Sequence, residues 1–172
     1  MRTFVILAAH GSPPNDFPKK EMGEFFMLHA QKEMDRKISD NAETKYIELE
    51  SRIRNWQRNS KNDPFYTACL EIAANMEKEL LLPVFVGFNE FCAPTINDAI
   101  EGAIEQGAEK VVVISPMMTR GGEHTEVDIP GIIRDLQGKY PQVKFIYAYP
   151  FLAKEIARFL ASQVKKFDPQ GE

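Results

Sequence analysis

The sequence predicts an α/β fold: a four-stranded parallel sheet flanked by helices, with a helical insertion after the first strand. Three observations predict it. Four short apolar segments rich in β-branched residues punctuate the chain. From the second segment onward they alternate with amphipathic stretches of helical period, the pattern of parallel strands joined by right-handed crossovers. Proline and glycine bound several of those stretches.

The strand segments are Thr3–Ala9 (TFVILAA), Leu82–Phe88 (LPVFVGF), Lys110–Pro116 (KVVVISP) and Val143–Tyr149 (VKFIYAY). The first three are nearly continuous apolar runs, as strands covered on both faces require. The fourth alternates more, which suits an edge. Between them, Asn62-Asp63-Pro64 places a capping residue before a proline at a first helical position. Phe65, Tyr66, Cys69, Ile72, Ala73, Met76 and Leu80 then recur on one face. Pro94 opens a second helix with Ile96, Ala99, Ile100, Ala103 and Ile104 inward, stopped by Gly107. Pro130 opens a third, with Ile132, Ile133 and Leu136, ending near Gly138. A last helix carries Leu152, Ile156, Phe159, Leu160 and Val164, and the tail Asp168–Glu172 is expected to fray.

The first crossover is too long for one helix. Met22, Phe25, Phe26, Ala30 and Met34 form one helical pattern; a polar break follows near Ser39–Ala42, then a weaker pattern at Leu49, Ile53 and Trp56. One or two extra helices over about residues 14–62 are expected, inside a single domain spanning 1–172.

Bulk properties narrow the function. The 172 residues, 44% hydrophobic and 27% charged, suit one globular unit. A net charge of -4 without a basic block argues against a nucleic-acid partner. Two cysteines in apolar patterns are too few for a disulfide framework and point to a reducing, cytoplasmic setting. The short apolar run at the start lacks the length and cleavage site of a signal peptide, and no run reaches the length of a membrane span.

In an open parallel sheet, ligands bind beyond the carboxyl ends of the strands. Those ends deliver His10-Gly11-Ser12, Asn89-Glu90, and Thr119-Arg120-Gly121-Gly122-Glu123-His124. Two of the three histidines thus fall on one edge with a carboxylate, a donor set suited to a first-row divalent metal with a position left open. Each residue also has a plainer reading. His10 before Gly-Ser could cap a helix or bind phosphate. Gly121-Gly122 could be only a flexible turn beside His124, and Glu90 a first-turn carboxylate favoured by the helix dipole. All three plain readings failing to matter at one edge is the weaker coincidence. His29 belongs to an apolar helical stretch, while Cys92 and Cys69 read as packed.

These residues resemble the class II chelatases, the family of sirohydrochlorin cobaltochelatases and ferrochelatases, in its small single-lobe form. The resemblance rests on VILAAHGSP, on VGFNEFCAPTINDAIEGAIEQGAEKVVVISPMM, and on RGGEHTEVDIPGIIRDL. Gly122-x-His124 followed by Asp128-Ile129-Pro130 is its most specific element. It covers about residues 82–150 and 3–13 but not 14–62, and Asn89 departs from the family's usual leucine before Glu90. It implies a flavodoxin-like half-lobe, a homodimer, no nucleotide and no organic cofactor. It also implies insertion of Co(II) first, with Fe(II) or Ni(II) compatible with the same donors, into sirohydrochlorin or a related tetrapyrrole. His10 and His124 are then expected to bind the ion, with Glu90 as third ligand, proton acceptor or orienter of His124. For the substrate's carboxylates, the expected partners are Ser12, Arg120, the amides of Gly121 and Gly122, and the amino ends of helices near Pro94 and Pro130. A non-catalytic tetrapyrrole or metal carrier is the competing reading. A phosphotransfer enzyme built on His10 lacks the basic neighbours that chemistry wants.

Overall fold

A computed structural model describes residues 1–34 and 37–168. Its elements run β1 (Thr3–Ala9), α1 (Lys19–Glu33), α2 (Asp40–Arg54), α3 (Pro64–Leu80), β2 (Val84–Phe88), α4 (Ile96–Glu105), β3 (Lys110–Ile114), α5 (Ile129–Lys139), β4 (Lys144–Tyr147) and α6 (Ala153–Phe167). The four strands form one parallel sheet in the order β2-β1-β3-β4. The α/β expectation therefore holds, with β4 at an edge as its alternation suggests. Beyond Asp168, the expected frayed tail lies outside the described residues. No helix among the described residues is long and apolar enough to cross a membrane.

Alternation along β1 builds two cores at once, because successive side chains of a strand point to opposite faces. Phe4, Ile6 and Ala8 pack with Ile96, Ala99, Ile100 and Ala103 of α4 and Ile129 and Leu136 of α5. Val5, Leu7 and Ala9 pack on the other face with Cys69 and Ala73 of α3. That second cover is narrower than the sequence predicts, since Phe65, Ile72 and Leu80 are each at least 40% exposed. The last helix departs further: α6 forms, but none of its residues is buried.

Several boundaries move for local reasons. Leu81 takes a left-handed conformation after α3, so the chain is still turning at Leu82-Pro83 and β2 begins at Val84. Pro94 does not open α4: its carbonyl accepts from Phe88 N–H, and Thr95 caps the helix in a capping box with Asp98. Gly107 follows α4 with φ +87°, the conformation a helix stop uses.

The long first crossover contains two helices ahead of α3, and these, α1 and α2, close a small third core of Phe17, Phe25, Leu28, Tyr46, Leu49 and Ile53. Phe26 and Met34, expected inward, are exposed instead. The polar break serves the next helix, where the Ser39 hydroxyl accepts from Ala42 N–H. One buried cation holds this unit to the sheet. Arg58 donates to Asp63 Oδ2 at 2.5 Å, to the carbonyls of Ser12 at 2.6 Å and Ile53 at 2.7 Å, and to that of Phe91 at 2.5 Å. Nothing in its local sequence marks Arg58 as different from the neighbouring arginines.

Candidate metal centre

The strand ends are held side by side by main-chain bonds. Asn89 N–H donates to the Ala9 carbonyl at 2.9 Å, and Glu90 N–H to the His10 carbonyl at 2.8 Å. Gly11 makes this approach feasible. A Cβ there would lie 1.9 Å from the Glu90 carbonyl oxygen, and its φ of +101° is one that side chains rarely tolerate. Gly11→Ala is therefore expected to cost at least ~2 kcal/mol of stability and to displace Glu90. A denaturant titration checks the first effect, metal-binding calorimetry the second.

His10, Glu90 and His124 meet at this edge: one candidate ligand atom from each lies within 4.8 Å of the others. Among the described residues no other such group of three occurs. His10 Nε2 is 3.9 Å from Glu90 Oε2, and the two imidazole rings stand nearly perpendicular with centroids 4.7 Å apart. At metal–nitrogen distances near 2.1 Å, two donors on one ion are at most about 4.2 Å apart. The His10–Glu90 pair already meets that limit, and the wider spacing closes with less than about an ångström of side-chain movement. The side chains are 40%, 26% and 25% exposed for His10, Glu90 and His124, so an incoming ligand can reach an ion held there.

Hydrogen bonding sets which nitrogen faces the ion. His10 Nδ1 is 2.9 Å from the Gly11 carbonyl, which can only accept, so Nδ1 carries the proton and Nε2 keeps its lone pair. His124 Nδ1 likewise donates to Asp128 Oδ2 at 2.6 Å. Asn89 Nδ2 donates to the same carboxylate oxygen at 3.1 Å and lies 2.6 Å from the imidazole nitrogen. The bond from His124 holds the Asp128 carboxyl below its ordinary range. Asp128 is thus the group that orients His124, a position the sequence leaves open to Glu90.

The role of Asp128 is not legible in the sequence, where it stands only within the family-like motif and His124 falls on a loop before a helix opened by Pro130. In the structure a π-helical turn, His124–Asp128, runs directly into α5. Pro130 has no N–H to donate, and its ring would crowd the carbonyl four residues back in an ordinary helix. The wider turn relieves this, with Ile129 N–H reaching the His124 carbonyl. Four-residue spacing then sets His124 and Asp128 on one face. It also removes the free helix end expected at Pro130, since the amides there bond within the turn.

A groove of about 360 Å³ opens beside His124, lined by Met117, Thr119, Arg120, Gly121, Gly122 and Thr125. Arg120, exposed, borders it as the loop position suggests. The Gly121 amide is not available to an anion: it donates to Glu126 Oε1 at 2.8 Å, and Tyr149 donates to the same oxygen. Ser12 takes part through its backbone, its carbonyl receiving Arg58, while its hydroxyl points to the Pro13 carbonyl at 3.5 Å. On the far side of Glu90 lies a smaller cavity of about 150 Å³ lined by Phe25, His29, Tyr46, Glu50 and Arg54. His29 packs against Phe25 and Tyr46, which also stack on each other, and is bonded to the Tyr46 hydroxyl at 3.1 Å, a packed histidine.

Cys92 is fully buried, with its thiol 3.4 Å from the Ser12 carbonyl, and Cys69 is buried on the inward face of α3. Burial pushes the Cys69 thiol up to about 11 and raises that of Cys92. Since the thiolate is the reactive form, the native protein at pH 8 is expected to react slowly with a thiol-disulfide reagent. Two equivalents should appear only on unfolding, and a rapid phase in the native protein would show a thiol open to solvent.

Comparison with known proteins sets this geometry in a lineage. The sequence pattern of the CbiX family matches residues 57–166, a stretch that contains Glu90 and His124 but stops short of His10 and most of the helical insertion. A sirohydrochlorin cobaltochelatase from Sulfolobus acidocaldarius is 31% identical over 120 residues, covering 67% of this chain and 84% of the relative. A sirohydrochlorin ferrochelatase from Priestia megaterium is 37% identical over 76 residues, 44% of this chain and 28% of the relative. The chain spans between 22% and 48% of the length of the first three curated relatives it matches. Among solved structures, SirB from Bacillus subtilis with Fe3+ superposes with a TM-score of 0.55 at 18% identity, over 97% of this chain and 48% of that one. A cobalamin biosynthesis CbiX protein from Marinobacter aquaeolei VT8 gives 0.54 at 17% identity, over 95% of both chains. These two support the fold, and the sequence matches establish descent: the chain belongs to the CbiX family of class II chelatases.

Proposed function

We propose that this chain inserts a divalent metal ion, Co(II) first and Fe(II) also, into sirohydrochlorin or a related tetrapyrrole, without nucleotide or organic cofactor. The observation that carries the reading is the meeting of His10, Glu90 and His124, with each imidazole's Nδ1 bonded to an acceptor. The names of the family's curated members supply the substrate class.

Insertion exchanges one metal ion for the two pyrrole protons of the macrocycle, so the site must hold a partly dehydrated ion and then accept protons. Neutral Nε2 of His10 and of His124, with the Glu90 carboxylate, replace part of the ion's water shell. As the ion passes to the macrocycle these same atoms become free bases, and Glu90 beside His10 is placed to take a proton. Asp128 stays ionised and keeps His124 in its ligand tautomer. Arg120 on the groove rim is the cation for a substrate carboxylate, with the Gly122 amide beside it and the Ser12 hydroxyl as a further donor.

We read residues 1–172 as one chelatase-like domain with 14–62 as its insertion, acting in the cytoplasm as a homodimer. The buried free cysteines are compatible with a reducing compartment. The test is anaerobic insertion followed by absorbance, with Co(II), Fe(II) and Ni(II) each offered alone and in competition. Many turnovers per chain are expected. Product limited to one equivalent per chain would instead mark a carrier.

A further inference from the structure

The helical insertion reaches the metal centre through a chain of aromatic rings. Phe91 follows Glu90 in a left-handed conformation, φ +57°, that side chains seldom adopt. Its carbonyl is held by Arg58 at 2.5 Å, and its ring lies beside the His10 imidazole, centroids 6.3 Å apart and planes at 25°. Phe26 of α1 meets the Phe91 ring at 6.0 Å, and buried Phe25 packs against both. Phe26 is nevertheless 43% exposed. Its neighbours on the helix surface, three and four positions away, are Met22, Gly23, His29 and Ala30, and none carries a permanent charge. A Cβ at Gly23 would meet nothing within 4 Å, so no packing inside the chain asks for glycine there. Glycine inside a helix is otherwise unfavourable. An uncharged strip thus runs on from the metal centre along α1.

We infer that Phe26 and Phe91 form an apolar shelf against which the face of the tetrapyrrole macrocycle rests, so that the insertion supplies a wall of the substrate site. The continuity of the strip with the metal centre identifies the occupant. The ion must pass into the middle of a wide conjugated plate, so the plate extends sideways from the imidazoles by more than one aromatic ring. On the insertion side the rings next to His10 are Phe91 and then Phe26. Such a plate is apolar on its faces and anionic at its rim. Aromatic rings suit the faces through offset or edge contact. Uncharged neighbours around Phe26 leave no carboxylate there to repel the rim.

The two flanks of the centre then hold different parts of the substrate. Arg120 borders the groove beside His124, where a rim carboxylate meets a cation. Phe91 borders the cavity on the far side of Glu90, where the macrocycle meets rings. Contact at both margins fixes which way the plate lies over the ion, as insertion into its centre requires. A lone exposed phenylalanine would mean little. Ring contact with the strand end that carries Glu90, and through it with His10, gives Phe26 a place in the site. The inference rests on the tetrapyrrole reading above and assigns the insertion its part in it.

The test is anaerobic binding of sirohydrochlorin to the metal-free full chain, followed by quenching of protein fluorescence. Phe26→Ala should weaken binding about 3- to 10-fold, the worth of one aromatic contact. Phe26→Trp restores a ring and should return affinity to within about twofold of wild type, its added emission being quenched as sirohydrochlorin saturates. Co(II) affinity by calorimetry and the urea midpoint should not move in either variant, because the ring is exposed and carries no ligand atom. Wild-type sirohydrochlorin affinity in Phe26→Ala overturns the shelf and leaves the chelatase reading standing. An equal loss of Co(II) affinity also overturns it, since Phe26 would then act through the metal centre. A wild-type chain that binds no sirohydrochlorin overturns both. A variant whose solution mass changes while its sirohydrochlorin affinity holds marks the strip as a protein contact, and the inference fails.

Discussion

Replacing His124 by alanine is expected to abolish metal insertion while leaving the fold intact. The imidazole is a quarter exposed and packs no core, so its loss leaves the two sheet cores untouched. It does remove one of the three donors that meet at the strand ends. Losing a group that merely orients a ligand costs about 10–100-fold in metal affinity or activity, so removing the ligand itself should exceed about 100-fold. His10→Ala should match it, because its Nε2 is the other nitrogen left free by its own Nδ1 bond. Asp128→Asn separates ligand from orienter. The amide still fits beside Asn89, but it is no longer an obligate acceptor for His124 Nδ1, and the loss should stay within about 10–100-fold. Glu90→Gln keeps the volume and removes the carboxylate, so turnover and metal affinity should fall while tetrapyrrole affinity holds. Near-normal turnover in either histidine variant would end the assignment.

The asymmetry between those residues follows how legible they are in the sequence. His10, Glu90 and His124 can be placed on one edge because strand ends follow from apolar runs, and parallel topology stacks those ends. Asp128 cannot, because the face it takes depends on helical phase; Asn89 falls on the same edge, but its bond to Asp128 is not visible there. Only once His124 is itself inside the helical turn that leads to Pro130 does Asp128 come under it. The insertion shows the same division. Its two helices are visible as periodic apolar spacing, but which face turns inward is not. Phe26 is exposed and Leu28 buried because the partner helix, not the period, decides the contact. For α6 the stripe is plain and its cover absent from the chain's own fold, since periodicity reports a face to be buried and not against what.

Arg58→Ala should destabilise the molecule by about 3–5 kcal/mol. Its guanidinium is 4% exposed and the Asp63 carboxylate it pairs with is fully buried. Truncation would leave that carboxylate charged and unpaired, and strip donors from the carbonyls of Ser12, Ile53 and Phe91 as well. Those carbonyls belong to three segments distant in sequence: the loop after β1, the end of α2, and the turn after Glu90. The effect should therefore be both global and local. Urea unfolding should show the lost stability, and metal binding by the remaining native protein should weaken because Ser12 and Phe91 flank His10 and Glu90. A double variant isolates the charge. Asp63 also caps α3 by accepting from Tyr66 N–H, a bond that an asparagine side chain in its place can keep. Arg58→Met/Asp63→Asn should consequently recover much of the stability while metal binding stays impaired, since its methionine gives no donor to the Phe91 carbonyl. An Arg58→Ala protein within about 1 kcal/mol of wild type would mean the buried pair is not what joins the insertion to the sheet.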